Sequence, residues 1–289
     1  MTIGNINERS GAKVSRPGRP LVSIITICLN GEKYLEQAIQ SVLNQTYDNI
    51  EYIIVDGGST DKTLDIIKKY ESRIDRWISE PDKGIYDALN KAISLTRGDW
   101  VGSVNSDDWY EPDTVRLIVE AAAKNPESGV IFGDMRVHKF ENGQIVCYQV
   151  KGRVEGDGVL LENPLTHPTC FVARRVYEQF RFDPAFRMGA DYDLMARIYN
   201  SGVKFEHLDR ILANFRIGGV TSRVPYRILF EAYQIRSRYN RVKALRKLLY
   251  VTSIFPLERL YLRLPWVFRK TYQAWKNKFQ MKFQKIVKK

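Results

Sequence analysis

Acidic residues stand at several places in this sequence where short apolar runs end. Four runs have the β-branched, apolar composition of buried strands: VSIITICLN, IEYIIVDGG, IDRWISEPDKG and WVGSVNSDD. Their ends carry Asn30, Asp56, Asp82 and the adjacent pair Asp107 and Asp108. Neighbouring carboxylates repel and raise each other's pKa unless solvent or a cation neutralises them. The pair therefore indicates either an exposed turn before a helix or a site for a metal ion.

Helical patterns alternate with these runs. Apolar residues recur with helical spacing in EKYLEQAIQSVLNQ, TLDIIKKYESR and IYDALNKAISLT. This alternation predicts an α/β fold in which a Rossmann-like, mostly parallel sheet is flanked by helices. In such sheets, ligands bind at the carboxyl ends of the strands, near a switch in strand order. We therefore expect the acidic residues to lie on the ligand-binding edge of the sheet.

The pattern becomes less regular beyond residue 113. Helices are predicted in TVRLIVEAAAKNP and GADYDLMARIYNSG, and strands in SGVIFGDM, QIVCYQV and VKFEHLDRILANFRIGG, with an antiparallel edge. The segment HPTCFVARRVYEQF predicts a turn and a strand followed by a helix, and helical spacing dominates from residue 226 onward.

The length and composition suit one large α/β domain with an appendage, or two modest domains. The chain has 289 residues, of which 44% are hydrophobic, enough for a sizeable core. Its three cysteines are widely spaced and odd in number, which argues against a disulfide framework or a zinc site and favours a reducing, intracellular compartment. The N-terminus lacks the apolar stretch of a secretory signal, and no apolar run predicts a transmembrane helix.

Positive charge is concentrated in the last quarter of the chain. Residues 225–289 contain 17 Lys and Arg against two acidic residues, whereas residues 1–224 contain 28 basic and 31 acidic residues. Large apolar and aromatic residues are interleaved with the basic ones, which is typical of amphipathic helices at a membrane surface. Anionic lipids attract such a segment by about 1 kcal/mol per basic residue near the surface. A nucleic-acid-binding arm would be less apolar, so no nucleic-acid partner is expected; a helical subdomain with a solvated basic face is the alternative.

Four segments, in this order, resemble family-2 glycosyltransferases with the GT-A fold. They are VSIITICLNGEKYLEQAIQSVLNQTYDNIEYIIVDGGSTD, EPDKGIYDALNKAI, RGDWVGSVNSDDWY and GADYDLMARI. The resemblance implies a GT-A domain over residues 20–223. Composition and pattern predict a flexible lead over 1–19 and a basic, aromatic-rich helical extension over 224–289. The resemblance also implies an inverting transfer of one sugar from a nucleotide-sugar, usually a UDP-sugar, to a hydroxyl acceptor.

The nucleotide-sugar would be bound by the segments around residues 56 and 82. The glycines after Asp56 allow the backbone to turn tightly and approach a ligand, and a carboxylate there can accept hydrogen bonds from a base or a ribose. The resemblance implies nucleotide-binding roles for Asp56 and Asp82, with Lys83 beside them. An Asx turn at Asp56 and a helix cap at Asp82 are the structural alternatives.

The resemblance places a divalent cation, Mn²⁺ or Mg²⁺, at NSDD. This segment occupies the position of the DxD motif, whose acids bind a cation chelated by the diphosphate of the donor, and both cations prefer oxygen ligands. Asn105 stands where the first acid would be, so Asp107 corresponds to the final acid and Asp108 lies beside it. Either carboxylate, or both, would contact the metal. The alternative is a turn before a helix that Asp113 already caps.

In GADYDL, Asp191 matches the catalytic base of the family, although Ala190 replaces the usual Glu. Residues two apart on a helix face different directions, so Asp191 and Asp193 would not reach the same hydroxyl. Asp193 is therefore the alternative candidate for the base. A carboxylate at a helix N-terminus is also stabilised as the anion, which leaves a structural role open. Two weaker candidates are His167 as a residue of the acceptor pocket and Arg216 as a residue that folds over the diphosphate.

The expected reaction is a single displacement at the anomeric carbon. Asp191 removes the proton of the acceptor hydroxyl, while a metal at the acid pair neutralises the departing diphosphate. A lipid-linked saccharide or growing surface polysaccharide as acceptor, and a peripheral position on the cytoplasmic face of the cell membrane, agree with the basic tail. The alternatives are a nucleotidyltransferase acting on sugar phosphates, for which CLNGEKYLEQ is a poor triphosphate loop, and a non-catalytic, membrane-associated nucleotide-sugar-binding protein.

Overall fold

The computed structural model describes residues 13–141, 144–153, 166–218, 225–245 and 248–249. The chain divides into two compact units, Met1–Ile235 and Arg236–Lys289. The sheet and every candidate site residue belong to the first unit, and the structure below is that of this unit. The expected boundaries at residues 19 and 223 stay predictions.

The strands of the described residues form one nine-stranded sheet. They are β1 Val22–Cys28, β2 Ile50–Asp56, β3 Arg76–Ser79, β4 Trp100–Ser103, β5 Trp109–Tyr110, β6 Ser128–Glu141, β7 Gln144–Val150, β8 Phe171–Ala173 and β9 Lys204–Arg216. Their order is β3-β2-β1-β4-β8-β6-β9-β5, and β7 pairs with β6. The pairings among β1 to β4 are parallel, as is β6 with β9, whereas β8, β5 and β7 join in antiparallel fashion. The predicted α/β fold is confirmed, and its sheet is mixed, with parallel pairing among β1 to β4 and antiparallel pairing at β5, β7 and β8.

The helices alternate with the first strands and recur between the later ones. They are α1 Leu35–Leu43, α2 Thr63–Lys69, α3 Ile85–Leu95, α4 Thr114–Lys124, α5 Arg174–Tyr177, α6 Ala190–Asn200 and α7 Pro225–Tyr239, with 3-10 turns at Glu71–Arg73 and His167–Thr169. Within the described part of the chain, no helix has the length and apolar character that crossing a membrane requires. The predicted basic extension is helical over α7, and most of its aromatic residues lie outside the described residues.

The core forms around the central strands because their sequences are apolar on both faces. All seven positions of β1 and all seven of β2 are buried. Helices α1 and α3 bury their apolar faces, including Leu35, Ile39, Leu89 and Ala92. Each fully buried large apolar side chain contributes roughly 1.5–3 kcal/mol relative to exposure. The central strands are therefore a rigid support for the loops that leave their ends.

The strand order reverses beside β1. The chain proceeds from β1 to β2 and β3 on one side, and then returns to place β4 on the other side of β1. The carboxyl ends of β1 and β4 therefore flank a switch point, where loops diverge and leave a crevice.

Two strands of the sheet differ from the expected elements. Strand β9 is a continuous strand of 13 residues, whose pairing with β6 contains register shifts. Strand β5 contains only two residues, and it pairs Trp109 with Asn214. A two-residue strand has no periodic pattern, so the sequence gives no signal for it.

Candidate active site

Four loops that the sequence analysis singled out meet at the carboxyl edge of the parallel strands. The amide of Gly57 donates to the carbonyl of Cys28 at 2.8 Å, which joins the loops after β1 and β2. The amide of Glu80 donates to the carbonyl of Asp56 at 3.0 Å, which joins the loop after β3. A Cβ atom added to Gly31 would lie 3.3 Å from Cβ of Ser106, so the loop after β4 packs on the loop after β1. The predicted edge is therefore a continuous surface.

Hydrogen bonds join the loops after β1 and β2, which form part of this surface. Asn30 has a left-handed φ of 51°, and its amide donates to the hydroxyl of Ser59 at 2.8 Å. The amide of Thr60 donates to Oδ1 of Asn30 at 2.9 Å. The amide of Gly31 donates to the hydroxyl of Thr63 at 2.8 Å. These reciprocal bonds fix two loops that would otherwise be separate.

Asp56 lies inside the turn at the end of β2. Its side chain is fully buried, and Oδ2 accepts hydrogen bonds from the amides of Gly58 and Ser59 at 3.1 and 3.0 Å and from the hydroxyl of Ser79 at 2.6 Å. The hydroxyl of Ser59 donates to Oδ1. Both oxygens are thus engaged with the protein, as in the Asx-turn alternative. Asp56 therefore stabilises the turn after β2 and is itself covered by that turn.

Asp82 is the carboxylate that lies beside the turn at residues 56–58. Its Oδ1 accepts a hydrogen bond from the amide of Gly84 at 2.8 Å, and its Oδ2 lies where a Cβ atom on residue 57 would clash. The side chain is partly exposed, and Lys83 beside it is exposed. Asp82 can therefore reach a ligand at the edge, whereas Asp56 is enclosed.

The two acids of NSDD have different environments. Asp108 is 1% exposed, and its oxygens accept hydrogen bonds from Nδ2 of Asn105 at 3.1 Å and from the amide of Arg216 at 3.0 Å. Burial, together with the neighbouring Asp107, raises the pKa of Asp108 to about 7. Asp107 is partly exposed, and burial raises its pKa although its own backbone amide and Arg216 oppose this. Asp107 is therefore the carboxylate that faces the edge, and Asp108 joins the NSDD loop to β9.

The donor set at this loop fits a divalent cation that a diphosphate also binds. Among the described residues, no side chain donates a hydrogen bond to Asp107, and no cluster of three or more His, Cys, Asp or Glu is present that would enclose a metal by itself. Mg²⁺ and Mn²⁺ in phosphate sites commonly take one or two protein carboxylates and complete their shell with phosphate oxygens and water. Asp107 supplies such a carboxylate.

Arg216, at the end of β9, lies against the NSDD loop. Its Nε donates to the carbonyl of Asp107 at 3.3 Å, and one terminal nitrogen donates to Oε1 of Gln37 at 2.9 Å. Its guanidinium lies over the rings of Tyr34 and Trp109, 4.0 and 5.0 Å from their centroids. The structure therefore places Arg216 beside the acid pair and holds it between two aromatic rings; its expected contact with the diphosphate stays a prediction.

Asp191 lies in the first turn of α6, beside Tyr86 of α3. Its Oδ1 accepts hydrogen bonds from the amide of Tyr192 at 2.8 Å and from the hydroxyl of Tyr86 at 3.3 Å. No described residue donates to the other oxygen. Burial and the charge of Asp191 raise the pKa of Tyr86, which therefore stays a phenol and a donor at neutral pH. One oxygen of Asp191 is held by the protein, and the other is available to a ligand.

His167 and Asp193 differ in how they relate to Asp191. Burial lowers the pKa of His167, against an opposite effect of Asp191, and its ring contacts Phe182 edge-on at 6.0 Å between centroids. Phe182 also stacks on Tyr86 at 5.5 Å. Asp193 is fully buried, and its Oδ2 forms an ion pair with Nε of Arg197 at 2.7 Å. His167 thus lies close enough to Asp191 to feel its charge, whereas Asp193 is paired with Arg197 on the same helix.

Helix α3 connects the Asp82 loop with the Asp191 cluster. It begins at Ile85, directly after Gly84, and carries Tyr86 in its first turn. One turn later, Asn90 exchanges two hydrogen bonds with the backbone of Phe182, at 2.9 and 3.1 Å. The segment EPDKGIYDALN therefore supplies both the carboxylate at the edge and the contacts around Asp191.

The sequence analysis missed Glu231, which supports the start of α6 from α7. Its carboxylate accepts hydrogen bonds from the amides of Arg187, Met188 and Gly189 at 2.8–3.1 Å and pairs with Arg227 at 2.9 Å. Burial would raise the pKa of Glu231, but Arg227 and these amides lower it on balance. The only sequence signal was an isolated acid in a basic segment.

The sequence matches the family described as Glycosyl transferase family 2 over residues 23–179, more than half of the chain. The chain is 30% identical over 208 residues to a chondroitin synthase of Escherichia coli, in an alignment that covers 71% of this chain and 30% of that protein. It is 28% identical over 214 residues to a PGL/p-HBAD biosynthesis glycosyltransferase of Mycobacterium bovis, covering 71% of this chain and 80% of that protein. This chain thus spans less than a third of the length of the synthase.

Two solved structures have a similar fold. Residues 1–349 of S. aureus TarS in complex with UDP-GlcNAc superpose with a TM-score of 0.63 at 18% identity, covering 85% of this chain and 76% of that one. The mannosyltransferase PcManGT from Pyrobaculum calidifontis, in complex with GDP-Man and Mn²⁺, superposes with a TM-score of 0.57 at 17% identity, covering 92% and 88%. These likenesses confirm the predicted GT-A fold.

Proposed function

The chain belongs to glycosyl transferase family 2, and we propose that it moves one sugar from a UDP-sugar to a hydroxyl acceptor with inversion at the anomeric carbon. One observation carries this proposal. Asp82, the candidate donor-binding carboxylate, lies just before the helix whose Tyr86 donates a hydrogen bond to Asp191, the candidate base. The UDP-GlcNAc complex of TarS supports a uridine donor, and the GDP-Man complex of PcManGT makes guanosine the alternative to test.

The nucleotide would be bound by Asp82, with Lys83 beside it. Asp82 is partly exposed at the edge of the sheet, where its carboxylate can accept hydrogen bonds from a base or ribose. Asp56 contributes as a positioning residue. Its buried carboxylate stabilises the turn at residues 56–59, against which the Asp82 carboxylate packs at Gly57.

Asp107 would contact a Mn²⁺ or Mg²⁺ ion shared with the donor diphosphate. When bound, such an ion neutralises the charge that develops on the departing diphosphate. Asp108 holds the loop in place through Asn105 and Arg216. The guanidinium of Arg216 adds a fixed positive charge beside Asp107.

Asp191 would act as the general base. Its available oxygen accepts the proton of the acceptor hydroxyl as the hydroxyl oxygen bonds to the anomeric carbon, while the bond from that carbon to the diphosphate oxygen breaks. Attack opposite the leaving group gives inversion. Tyr86 fixes the carboxylate by its hydrogen bond to Oδ1, and Phe182, which packs on Tyr86, and His167, which packs on Phe182, would contact the acceptor.

The decisive experiment measures which products leave a panel of UDP-, GDP- and dTDP-sugars, with Mn²⁺, Mg²⁺ or EDTA. We expect release of the nucleoside diphosphate from one donor, dependent on a divalent cation. The Asp191→Asn variant should still bind the donor but release almost none. Release of pyrophosphate from a nucleoside triphosphate and a sugar phosphate would instead establish the nucleotidyltransferase alternative, and binding without turnover of any donor would favour the non-catalytic one.

We further propose that the acceptor is a lipid-linked saccharide or a growing surface polysaccharide, reached from the cytoplasmic face of the cell membrane. The names of the chondroitin synthase and the PGL/p-HBAD glycosyltransferase support a glycan or glycolipid product. Membrane contact would come from the basic segment 225–289. Because α7 carries Glu231, a test should keep α7: the full chain and a chain that ends at residue 249 are sedimented with anionic liposomes. We expect the full chain to pellet and the shortened chain, which keeps seven of the 17 basic residues, to pellet less. A full chain that stays in solution would remove the proposal.

A further inference from the structure

Three polar side chains on adjacent strands form a row beside the proposed active site. Cys147 of β7 lies opposite His138 of β6 in the antiparallel register, and its Sγ is 3.1 Å from Nδ1 of His138. Nε2 of His138 is 2.8 Å from Oδ1 of Asn214 on β9. Cys147 is exposed, whereas Asn214 is 2% exposed. The row thus runs from a solvent-accessible thiol to a buried amide.

The surrounding hydrogen bonds determine the tautomer of His138. Nδ2 of Asn214 donates to Oε1 of Glu111 at 3.0 Å, and Arg136 donates to that same Glu111 oxygen at 2.7 Å. The amide oxygen of Asn214 must therefore face His138, whose Nε2 carries the hydrogen. Nδ1 is then an acceptor directed at the thiol. The ring of Trp109, 4.6 Å away between centroids, packs on the imidazole and holds its orientation.

We propose that Cys147 is a reactive thiol and a modification site for low-molecular-weight disulfides such as oxidised glutathione. The arrangement is that of an activated nucleophile: a thiol, a base within hydrogen-bond reach and a third group that orients the base. Nδ1 of His138 takes the thiol proton, and the Cys147 thiolate attacks one sulfur of the disulfide. The new S–S bond forms as the old one breaks, and the departing thiolate takes the proton from His138.

The other two cysteines provide controls within the same chain. Cys28 and Cys170 are buried, and burial raises the pKa of both thiols, so they should be inert while the protein is folded. Labelling of either residue would report unfolding.

The test measures the rate at which the full chain reacts with oxidised glutathione at pH 7, with the adduct located by peptide mass mapping. We expect one adduct, at Cys147, and a rate at least tenfold lower in His138→Gln. If His138→Gln stays folded, as shown by unlabelled Cys28 and Cys170, and its reaction rate falls less than tenfold, the proposal is wrong.

A second variant keeps the test decisive if His138→Gln unfolds. Ile145 is 64% exposed and lies two residues from Cys147 on the same face of β7, away from the register position opposite His138. The double variant Cys147→Ser, Ile145→Cys therefore carries an exposed thiol without the imidazole partner. We expect it to react at least tenfold more slowly than the wild type, and a rate within threefold of the wild type would show that exposure alone explains the reactivity.

Discussion

The carboxylate of Asp82 fills the space that a side chain on Gly57 would require. A Cβ atom on Gly57 would lie 2.4 Å from Oδ2 of Asp82, a distance that real Cβ atoms essentially never show. Oδ1 is held by the amide of Gly84 at 2.8 Å, so the carboxylate is confined from both sides. The absence of a side chain at residue 57 is thus what allows Asp82 to stand at the carboxyl edge of β2.

This relationship predicts that Gly57→Ala and Asp82→Asn impair the same function. Alanine would displace the carboxylate, and asparagine would keep its shape but remove its charge. Loss of one hydrogen bond to a charged group costs about 1.5–3 kcal/mol, so we expect nucleoside diphosphate binding to weaken roughly tenfold to a hundredfold in either variant. Calorimetric titration with UDP and Mn²⁺ measures this. Since both changes act through one carboxylate, the double variant should bind the nucleotide no more weakly than the single variant with the lower affinity. Additive losses of binding free energy would show that the two residues act independently.

The hydrogen bond from Tyr86 to Asp191 predicts a selective effect on turnover. Tyr86→Phe removes the donor to Oδ1 and keeps the ring that stacks on Phe182. The loss of about 1 kcal/mol in positioning should lower kcat roughly fivefold and leave the KM for the donor unchanged. Tyr52→Phe is the matched control, because it removes a buried hydroxyl that bonds to Thr26 within the sheet. Equal losses of kcat in both variants would mean that the effect is structural.

The acids of NSDD should separate catalysis from stability. Asp107→Asn should leave the unfolding midpoint unchanged and abolish cation-dependent transfer, because the Asp107 carboxylate faces the edge. Asp108→Asn should lower the unfolding midpoint, because one of its two buried acceptor oxygens becomes an amide that opposes the Asn105 or Arg216 donor. Thermal unfolding and donor turnover, measured on the same preparations, compare the two variants. The reverse pattern would exchange the proposed roles.

The sequence predicted the elements and the edge because those signals are local. The buried strands β1 and β2 are continuous apolar runs, and an acid at the end of such a run must emerge at the carboxyl edge of a parallel sheet. Local patterns likewise placed Asp107 and Asp108 at the edge and Asp191 at the start of a helix. Asp56 shows the limit, since spacing places it at the edge but does not reveal that the turn encloses both of its oxygens.

The contacts that organise the site could not be predicted, because they join residues far apart in the chain. Tyr86 and Asp191 are separated by 105 positions, and the amide of Arg216 reaches Asp108 across 108 positions. Such contacts depend on the order of strands and on helix packing, which no spacing in one sequence encodes. Glu231 is the clearest example, because in the sequence it is one acid among many basic residues.

Glu231 predicts how stability depends on pH. Its pKa in the folded protein is lowered, from an ordinary value near 4.3. Its stabilising contribution should therefore be fully present above about pH 5 and disappear as the pH falls through the folded pKa. In Glu231→Gln, the free energy of unfolding should be lower by about 1–3 kcal/mol at pH 7, because an amide cannot satisfy three backbone donors and Arg227.

Urea unfolding of the wild type and of Glu231→Gln between pH 7 and pH 3 measures the difference directly. We expect the two free energies to converge as the pH falls through the lowered pKa of Glu231 in the folded protein, because the wild-type carboxyl is then protonated. Glu120→Gln is the control, since the exposed ion pair of Glu120 with Arg116 should contribute little to stability. Since Glu231 holds the backbone that precedes Asp191, its variant should also lose kcat at pH 7. A constant difference at every pH would mean that the amide disturbs packing and that the charge of Glu231 does not support the start of α6.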